Sequence, residues 1–315
     1  MNQLQIGLLN FASINQVQDY LTDVQELIDY ATVVDRLGFS RFWLAEHLSF
    51  KRTHTWTSPD MLLPLLAAAT SRIKIGIAGT LISGHCPLDI ATNYKMLANL
   101  FPGRIDLGLA NGGTSNSCVA VSTSPDSGPD PFTRHTRALV HYLRSEEFSD
   151  GSGLVIPPNS GELPDLWLLG SSYRNTGFAL ELGANFSRSA FHLNNDPAPD
   201  TQRLHEFIGA FQAKYAVRPQ VTLAMAICCH ENKQRAIEIA AECLNQGNVV
   251  LDSNSLIIGT AQEIADRIHA AHERYAVSEF ILLQLYRQQY DRLRGIERLA
   301  SSFNLVDENA ANRVN

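Results

Sequence analysis

Short apolar runs alternate with amphipathic stretches along nearly the whole chain, and this alternation limits the available folds more than any other feature. Eight runs read as strands: Leu4–Phe11, Phe42–His47, Ile73–Ile82, Arg104–Ala110, Asp165–Gly170, Asn185–Phe191, Val221–Cys229 and Glu279–Tyr286. Such short, largely apolar runs fit strands covered on both faces of a parallel sheet. Between them, helical spacing runs over Asp19–Leu37, Asp60–Thr70, Leu88–Leu100, Thr133–Leu143, Thr176–Leu182, Asp200–Tyr215, Asn232–Asn245, Gln262–Tyr275 and Gln289–Phe303. Gly38 and Gly183 stop two of these helices. Ser58-Pro59 reads as the N-cap and first helical residue of the helix that runs to Thr70.

Eight strands interleaved with helices predict an α/β fold, a (β/α)8 TIM barrel, as a single domain over residues 1–315. A doubly wound sheet would be favoured by a GxGxxG after the first strand, and Leu4–Ile14 carries none. A long insertion near 111–132, rich in Gly, Ser, Thr, Asp and Pro, reads as a loop of the kind that is usually functional or disordered. The tail from Val306 is polar and expected to fray.

Composition narrows the partners. The 315 residues carry a net charge of −7 and no Lys/Arg block, which argues against nucleic acid or an anionic membrane surface. No apolar run is long enough to cross a bilayer, and Met1–Phe11 lacks the basic start of a secretion signal. The five cysteines are odd in number and form no CxxC, so they read as reduced thiols of a cytoplasmic protein. No HExxH or other metal spacing and no GxSxG elbow occurs, so no metal ligand is assigned.

Four segments carry candidate chemistry. The run Phe42–Ala45 stops abruptly at Glu46-His47, which places an imidazole at a strand end. In an α/β barrel that end opens onto the active-site face, where histidine is suited to exchange protons. A structural pair or helix cap fits the same residues. Glu46 points the other way from His47 and is read as anchoring a loop or orienting a neighbour. Gly170-Ser171-Ser172-Tyr173-Arg174-Asn175 leads from a strand into a helix, an arrangement that suits a phosphate and equally an ordinary serine N-cap. Ile75-Gly-Ile-Ala-Gly-Thr80 has small residues that admit either a flat ligand or a tightly packed helix. Asp106–Asn111 ends the fourth strand, and Arg134 and Arg137 follow the long loop, as anion contacts or as solvated surface charges. Phe11, Phe50, Trp56, Phe191 and Tyr286 are candidates for an apolar ligand pocket or for plain core.

Taken in order, several of these segments resemble the bacterial luciferase-like flavin monooxygenases. The shared pieces are Leu37-Gly-Phe-Ser-Arg-Phe-Trp-Leu-Ala-Glu-His47, Ala67-Ala-Ala-Thr-Ser-Arg-Ile-Lys-Ile-Gly76, Pro102-Gly-Arg-Ile-Asp-Leu-Gly108, Leu163-Pro-Asp-Leu-Trp-Leu-Leu-Gly-Ser-Ser172 and Ile258-Gly-Thr-Ala-Gln-Glu-Ile-Ala265. The resemblance implies a barrel that binds FMN as FMNH2 supplied by a separate flavin reductase. It also implies a C4a-(hydro)peroxyflavin formed with O2 that oxidises a small organic substrate, which the aromatic candidates suggest is apolar, and a homodimer packed through early barrel helices. By the same resemblance His47 is the catalytic histidine and Ala78 supports the isoalloxazine ring, often through a non-proline cis peptide. Ser171, Ser172 and Asn175 hold the phosphate, and Arg137 is matched to a second phosphate contact. A non-catalytic flavin-binding paralogue and an F420-dependent oxidoreductase on the same barrel are the alternatives.

The departures from the family pattern are specific. Leu48 stands where many relatives have a second histidine, Tyr173 where many have glycine, and Asn111 where many have a phosphate-binding arginine. Losing that cation is expected to remove about 1.5–3 kcal/mol, roughly ten- to a hundredfold in affinity. The backbone N–H of Tyr173 still offers a donor, while its side chain is expected to crowd the entrance. The region Asn245–Leu256, where luciferase itself carries a mobile lid, is short, so light emission is not expected.

Overall fold

The computed structural model describes residues 3–11, 20–46, 58–111, 130–145, 155–158, 161–192, 198–245 and 255–305. The apolar runs become strands β1 (Gln5–Asn10), β2 (Arg41–Leu44), β3 (Lys74–Thr80), β4 (Ile105–Ala110), β5 (Asp165–Gly170), β6 (Asn185–Ser189), β7 (Val221–Cys229), β8 (Ile257–Gly259) and β9 (Glu279–Gln284). All pairs are parallel, in the order β6-β5-β4-β3-β2-β1-β9-β7, and β6 pairs back onto β7. Eight strands therefore close a barrel, as the alternation predicts. The addition is β8, whose three residues pair with Ile227–Cys229 at the far end of β7. A run that short has no periodicity to betray it.

The helices are α1 (Tyr20–Arg36), α2 (Leu63–Ala69), α3 (Pro87–Leu100), α4 (Pro131–Arg144), α5 (Thr176–Leu182), α6 (Asp200–Tyr215), α7 (Lys233–Asn245), α8 (Ala261–Tyr275) and α9 (Gln289–Ser302). Successive strand residues face opposite sides. Ile6, Leu8, Phe42, Leu44, Ile75, Ile77, Leu107 and Leu109 belong to the large core cluster shared with the helices. No helix among the described residues is long and apolar enough to cross a membrane. Buried Cys228 and Cys229 act as small apolar residues, since burial pushes their thiols up to about 12 and about 11.

The second helix departs from its prediction. Pro59–Met61 forms a single 3₁₀ turn, Ser58 makes no side-chain cap, and α2 starts only at Leu63. Pro64 is the cause. It has no N–H to bond back to the carbonyl of Asp60, so one unbroken helix from Asp60 cannot form. The start of α8 is better defined than the apolar spacing suggested. Thr260 accepts from the Glu263 N–H while Glu263 returns a bond to the Thr260 N–H, a complete capping box.

The N-terminal end of the barrel is filled by charge. Arg41 donates to Asp106 at 2.6 Å, to both oxygens of Glu279 at 2.7 and 2.9 Å, and to Gln220 at 3.0 Å. Asp106 also accepts the indole N–H groups of Trp43, at 2.8 Å, and Trp167, at 3.2 Å. The Arg41 guanidinium lies 5.3 and 4.6 Å from those two rings, which meet edge to face at 5.2 Å. Burial raises the Asp106 carboxyl pKa, while Arg41 and Lys74 pull it down. Two glycines make room for this arrangement. A Cβ on Gly7 would sit 2.6 Å from Arg41 Cγ, and one on Gly76 would sit 2.4 Å from the Asp106 carbonyl oxygen. Gly76 therefore serves packing and not a flat ligand.

Candidate active site

Above the two tryptophans, where the strands end, lies a cavity of about 460 Å³. That volume is in the range of small-molecule and cofactor pockets. Its wall mixes apolar and polar residues, with most of the polar ones on the β5–β6 side, where Leu169, Phe191 and Ala224 also line it. Leu9 on β1 and Phe11 just after it, Trp43 from β2, Ala78 and Gly79 from β3, and Ala110 from β4 contribute carbon or bare backbone. Ser171, Ser172, Arg174 and Asn175 after β5, with Ser187, Ser189 and His192 on and after β6, contribute donors and acceptors. Asn111 is the polar exception on the β4 side.

The β3 side is irregular where it meets the cavity. The pairing with β4 slips between Ile77 and Thr80, and the Ala78–Gly79 peptide bond is cis. Ala78 lines the cavity. Behind it, Glu46 is buried and accepts from the Leu81 N–H at 2.6 Å and pairs with His85 Nε2 at 2.7 Å. The bond to Glu46 raises the His85 pKa, with burial opposing it. Asp60 accepts from Tyr94 at 3.1 Å, and burial followed by the charge of Glu46 raises its pKa. Glu46 thus anchors the segment after β3, the role read for it from alternation.

The serines after β5 are not helix caps. α5 begins at Thr176 with Asn175 at the cap position, and Asn175 makes no side-chain cap bond. Ser171, Ser172 and Asn175 all face the cavity, joined by Arg174, whose Nε donates to Ser172 Oγ at 3.3 Å. Tyr173 does not crowd the entrance. Its ring is buried against Phe186 at 5.9 Å, with Arg188 5.8 Å from it, and it does not line the cavity. Arg137 is not on the cavity wall either. It makes a two-bond pair with Glu181 on the surface and stacks on Phe178 at 5.3 Å. Length and flexibility let an arginine satisfy a nearby carboxylate more readily than spacing alone can foretell.

His47, Phe50 and Trp56 lie outside the described residues. Of the aromatic pocket candidates, Phe11 and Phe191 line the cavity, while Tyr286 is spent on a stack with Arg292, 4.9 Å from its ring. Three polar wall residues escaped the sequence reading: Ser187, Ser189 and His192. The available signal was β6 itself. In Asn185-Phe-Ser-Arg-Ser189 the small hydroxyls recur every second residue, on one face. Ser189 Oγ lies 2.6 Å from His192 Nδ1, and the His192 ring packs on Phe191 at 4.5 Å. Burial, helped by the charge of Arg188, lowers the His192 pKa.

Comparison with known proteins fits this geometry. The family model described as luciferase-like monooxygenase matches residues 5–278. A protein of Escherichia coli K12 named luciferase-like monooxygenase is 26% identical over 94% of this chain and 88% of its own length. Two solved structures share the fold with a TM-score of 0.70 each. One is the oxygenating constituent of 3,6-diketocamphane monooxygenase of Pseudomonas putida in complex with FMN, at 14% identity, covering 100% of this chain and 99% of that one. The other is an F420-dependent secondary alcohol dehydrogenase with an F420-acetone adduct, at 16% identity, covering 98% and 100%.

Proposed function

The chain belongs to the luciferase-like monooxygenase family, and on that premise we propose that it is a two-component monooxygenase using reduced FMN and O2 on a small, apolar organic substrate. One observation carries the reading: one cavity is lined both by small residues, Ala78, Gly79 and Ala110, and by a group of polar residues, Ser171, Ser172, Arg174 and Asn175. A flat ring suits the first and an anion the second. Bound reduced flavin would supply the electrons that let one atom of O2 enter the substrate.

The rest falls to side chains of this chain. Ser171, Ser172 and Asn175 hold the phosphate, with the Tyr173 backbone N–H beside them. Arg174 supplies the cation that Asn111 does not. Leu9, Phe11 and Phe191 give the substrate an apolar surface and keep water from the reacting atoms. His47 moves the proton that the oxygen transfer requires. A reductase delivers FMNH2, and a second copy of the chain packs on the early barrel helices, where Met61 and Leu65 are exposed.

The serine pair favours FMN over F420, and an alternative reading as a flavin-binding protein without turnover is separated by activity. The test is anaerobic loading with FMNH2, then admission of O2 with a panel of apolar thioethers, amines and ketones, reading oxygenated product by mass. His47→Ala should keep flavin affinity and lower turnover about 10²- to 10⁴-fold. Turnover equal to wild type removes His47 from the mechanism. Binding without product from any substrate supports the non-catalytic reading, and reduction of a substrate by reduced F420 supports the third.

A further inference from the structure

Among the described residues that line the cavity, two side chains are ionisable: Arg174 and His192. His192 stands on the polar side of the wall. The register of β5 and β6 pairs Gly170 with Arg188, so the next residues, Ser171 and Ser189, are neighbours, and both line the cavity. Ser189 occupies His192 Nδ1, which leaves Nε2 as the ring nitrogen for a bound molecule. The imidazole is therefore fixed beside the serines that suit an anion.

The groups around it disfavour a second proton on the ring. Arg188, next to Ser189 on β6, turns to the opposite side and is 2% exposed. It donates through Nη1 to the Ser189 carbonyl. Its Nε lies 3.7 Å from Asp200 at the start of α6, beyond hydrogen-bond distance. Its charge is thus only loosely answered. Tyr173 faces the same cluster from the β5–α5 connection, with its hydroxyl pKa raised by burial and by Asp200. Arg174, on the cavity side of that connection, adds a second positive charge. Burial and Arg188 both oppose a proton on His192.

We propose that His192 is a proton-linked phosphate contact, binding the terminal phosphate of the flavin through Nε2 and taking up one proton from solvent as that anion enters. This rests on the flavin reading above. The step is a proton transfer alone: an N–H bond forms on the imidazole, the buffer acid gives up that proton, and no other bond changes. A dianion brought beside an imidazole favours the charged ring. The bound state then holds more protons than the free state. FMN affinity must fall as pH rises from the free-state pKa through the bound-state pKa, by up to about tenfold per pH unit inside that window. Riboflavin, which has the ring and no phosphate, should show none of this contribution.

Calorimetry under anaerobic conditions, in buffers of different ionisation enthalpy, reads the proton uptake directly. Reduced FMN and reduced riboflavin are compared on wild-type protein and on His192→Gln, which keeps a hydrogen-bonding amide and loses the titration. Ionisations of the ligands themselves are common to both proteins, so the difference between proteins isolates His192. The expected result is greater proton uptake by wild type than by His192→Gln with FMN, equal uptake with riboflavin, and a steeper loss of FMN affinity from pH 6.5 to 8.5 in wild type. Equal uptake by the two proteins with FMN, or the same difference with riboflavin, overturns the proposal and leaves the flavin reading standing. Absence of binding by both flavins overturns both.

Discussion

The two ends of the barrel use polar residues in opposite ways. At the N-terminal end Arg41, Asp106, Glu279 and the two indoles answer one another, and all are buried. At the C-terminal end Ser171, Ser172, Arg174 and Asn175 face a cavity. Burial explains the difference. A charge sealed in protein must be matched internally or it costs several kcal/mol. A polar group on a cavity wall can keep water until a ligand replaces it. The first arrangement holds the fold, and the second is available for binding. Glu46 and His85 lie beside the mouth yet behave like the floor, because their bond is already made.

The floor gives the largest predicted effect. Arg41→Met leaves Asp106 and Glu279 buried without their cation, and urea denaturation should show a loss of about 3–5 kcal/mol. A loss below about 1 kcal/mol would mean that the charged floor is not structural in the sense argued. The Glu46–His85 pair comes next and carries a pH signature. Glu46 raises the folded-state pKa of His85 above its ordinary 6.5. The stability it contributes is therefore full below 6.5 and disappears as pH rises through the raised value. The gap in urea midpoint between wild type and His85→Gln should be wide at acid pH and narrow at alkaline pH. A gap that widens with pH would reverse the assignment.

At the mouth the expected effects move from stability to binding. Arg174→Ala should leave the melting temperature close to wild type and weaken FMN about ten- to a hundredfold, as read by fluorescence titration. A large fall in stability with unchanged affinity would place Arg174 with the floor residues. The smallest effect belongs to Arg137. Its pair with Glu181 is exposed, so Arg137→Ala should change neither melting temperature nor FMN affinity measurably. Weaker FMN binding in that variant would restore the phosphate role that the family resemblance assigned to it.

The barrel was legible because its strands are continuous apolar runs and its helices amphipathic, and both are local properties. Pro64 could have warned of the broken second helix, since its missing N–H acts within one turn. The serine pair was legible as a segment, while its use was not. Only the position of Thr176 at the start of α5 shows that Ser171 and Ser172 are not caps. Residues that act across the sheet were the hardest to read. Arg41, Asp106 and Glu279 are 65 and 238 residues apart from Arg41 outward, and nothing in their local sequence pairs them. His192 was missed for the same reason, because its meaning comes from Ser189 and the neighbouring strand. Arg137 and Tyr173 were matched to the cofactor by position, and their side chains find partners elsewhere.

The central claim is that the polar wall of the cavity holds the phosphate of reduced FMN. Anaerobic titration of the purified protein with FMNH2, beside the double variant Ser171→Ala, Ser172→Ala, tests it most directly. Saturable binding on the order of tens of micromolar or tighter is predicted, weakened about tenfold or more in the variant, with unchanged thermal stability. No binding in that range, or equal affinity in the two proteins, would contradict the claim.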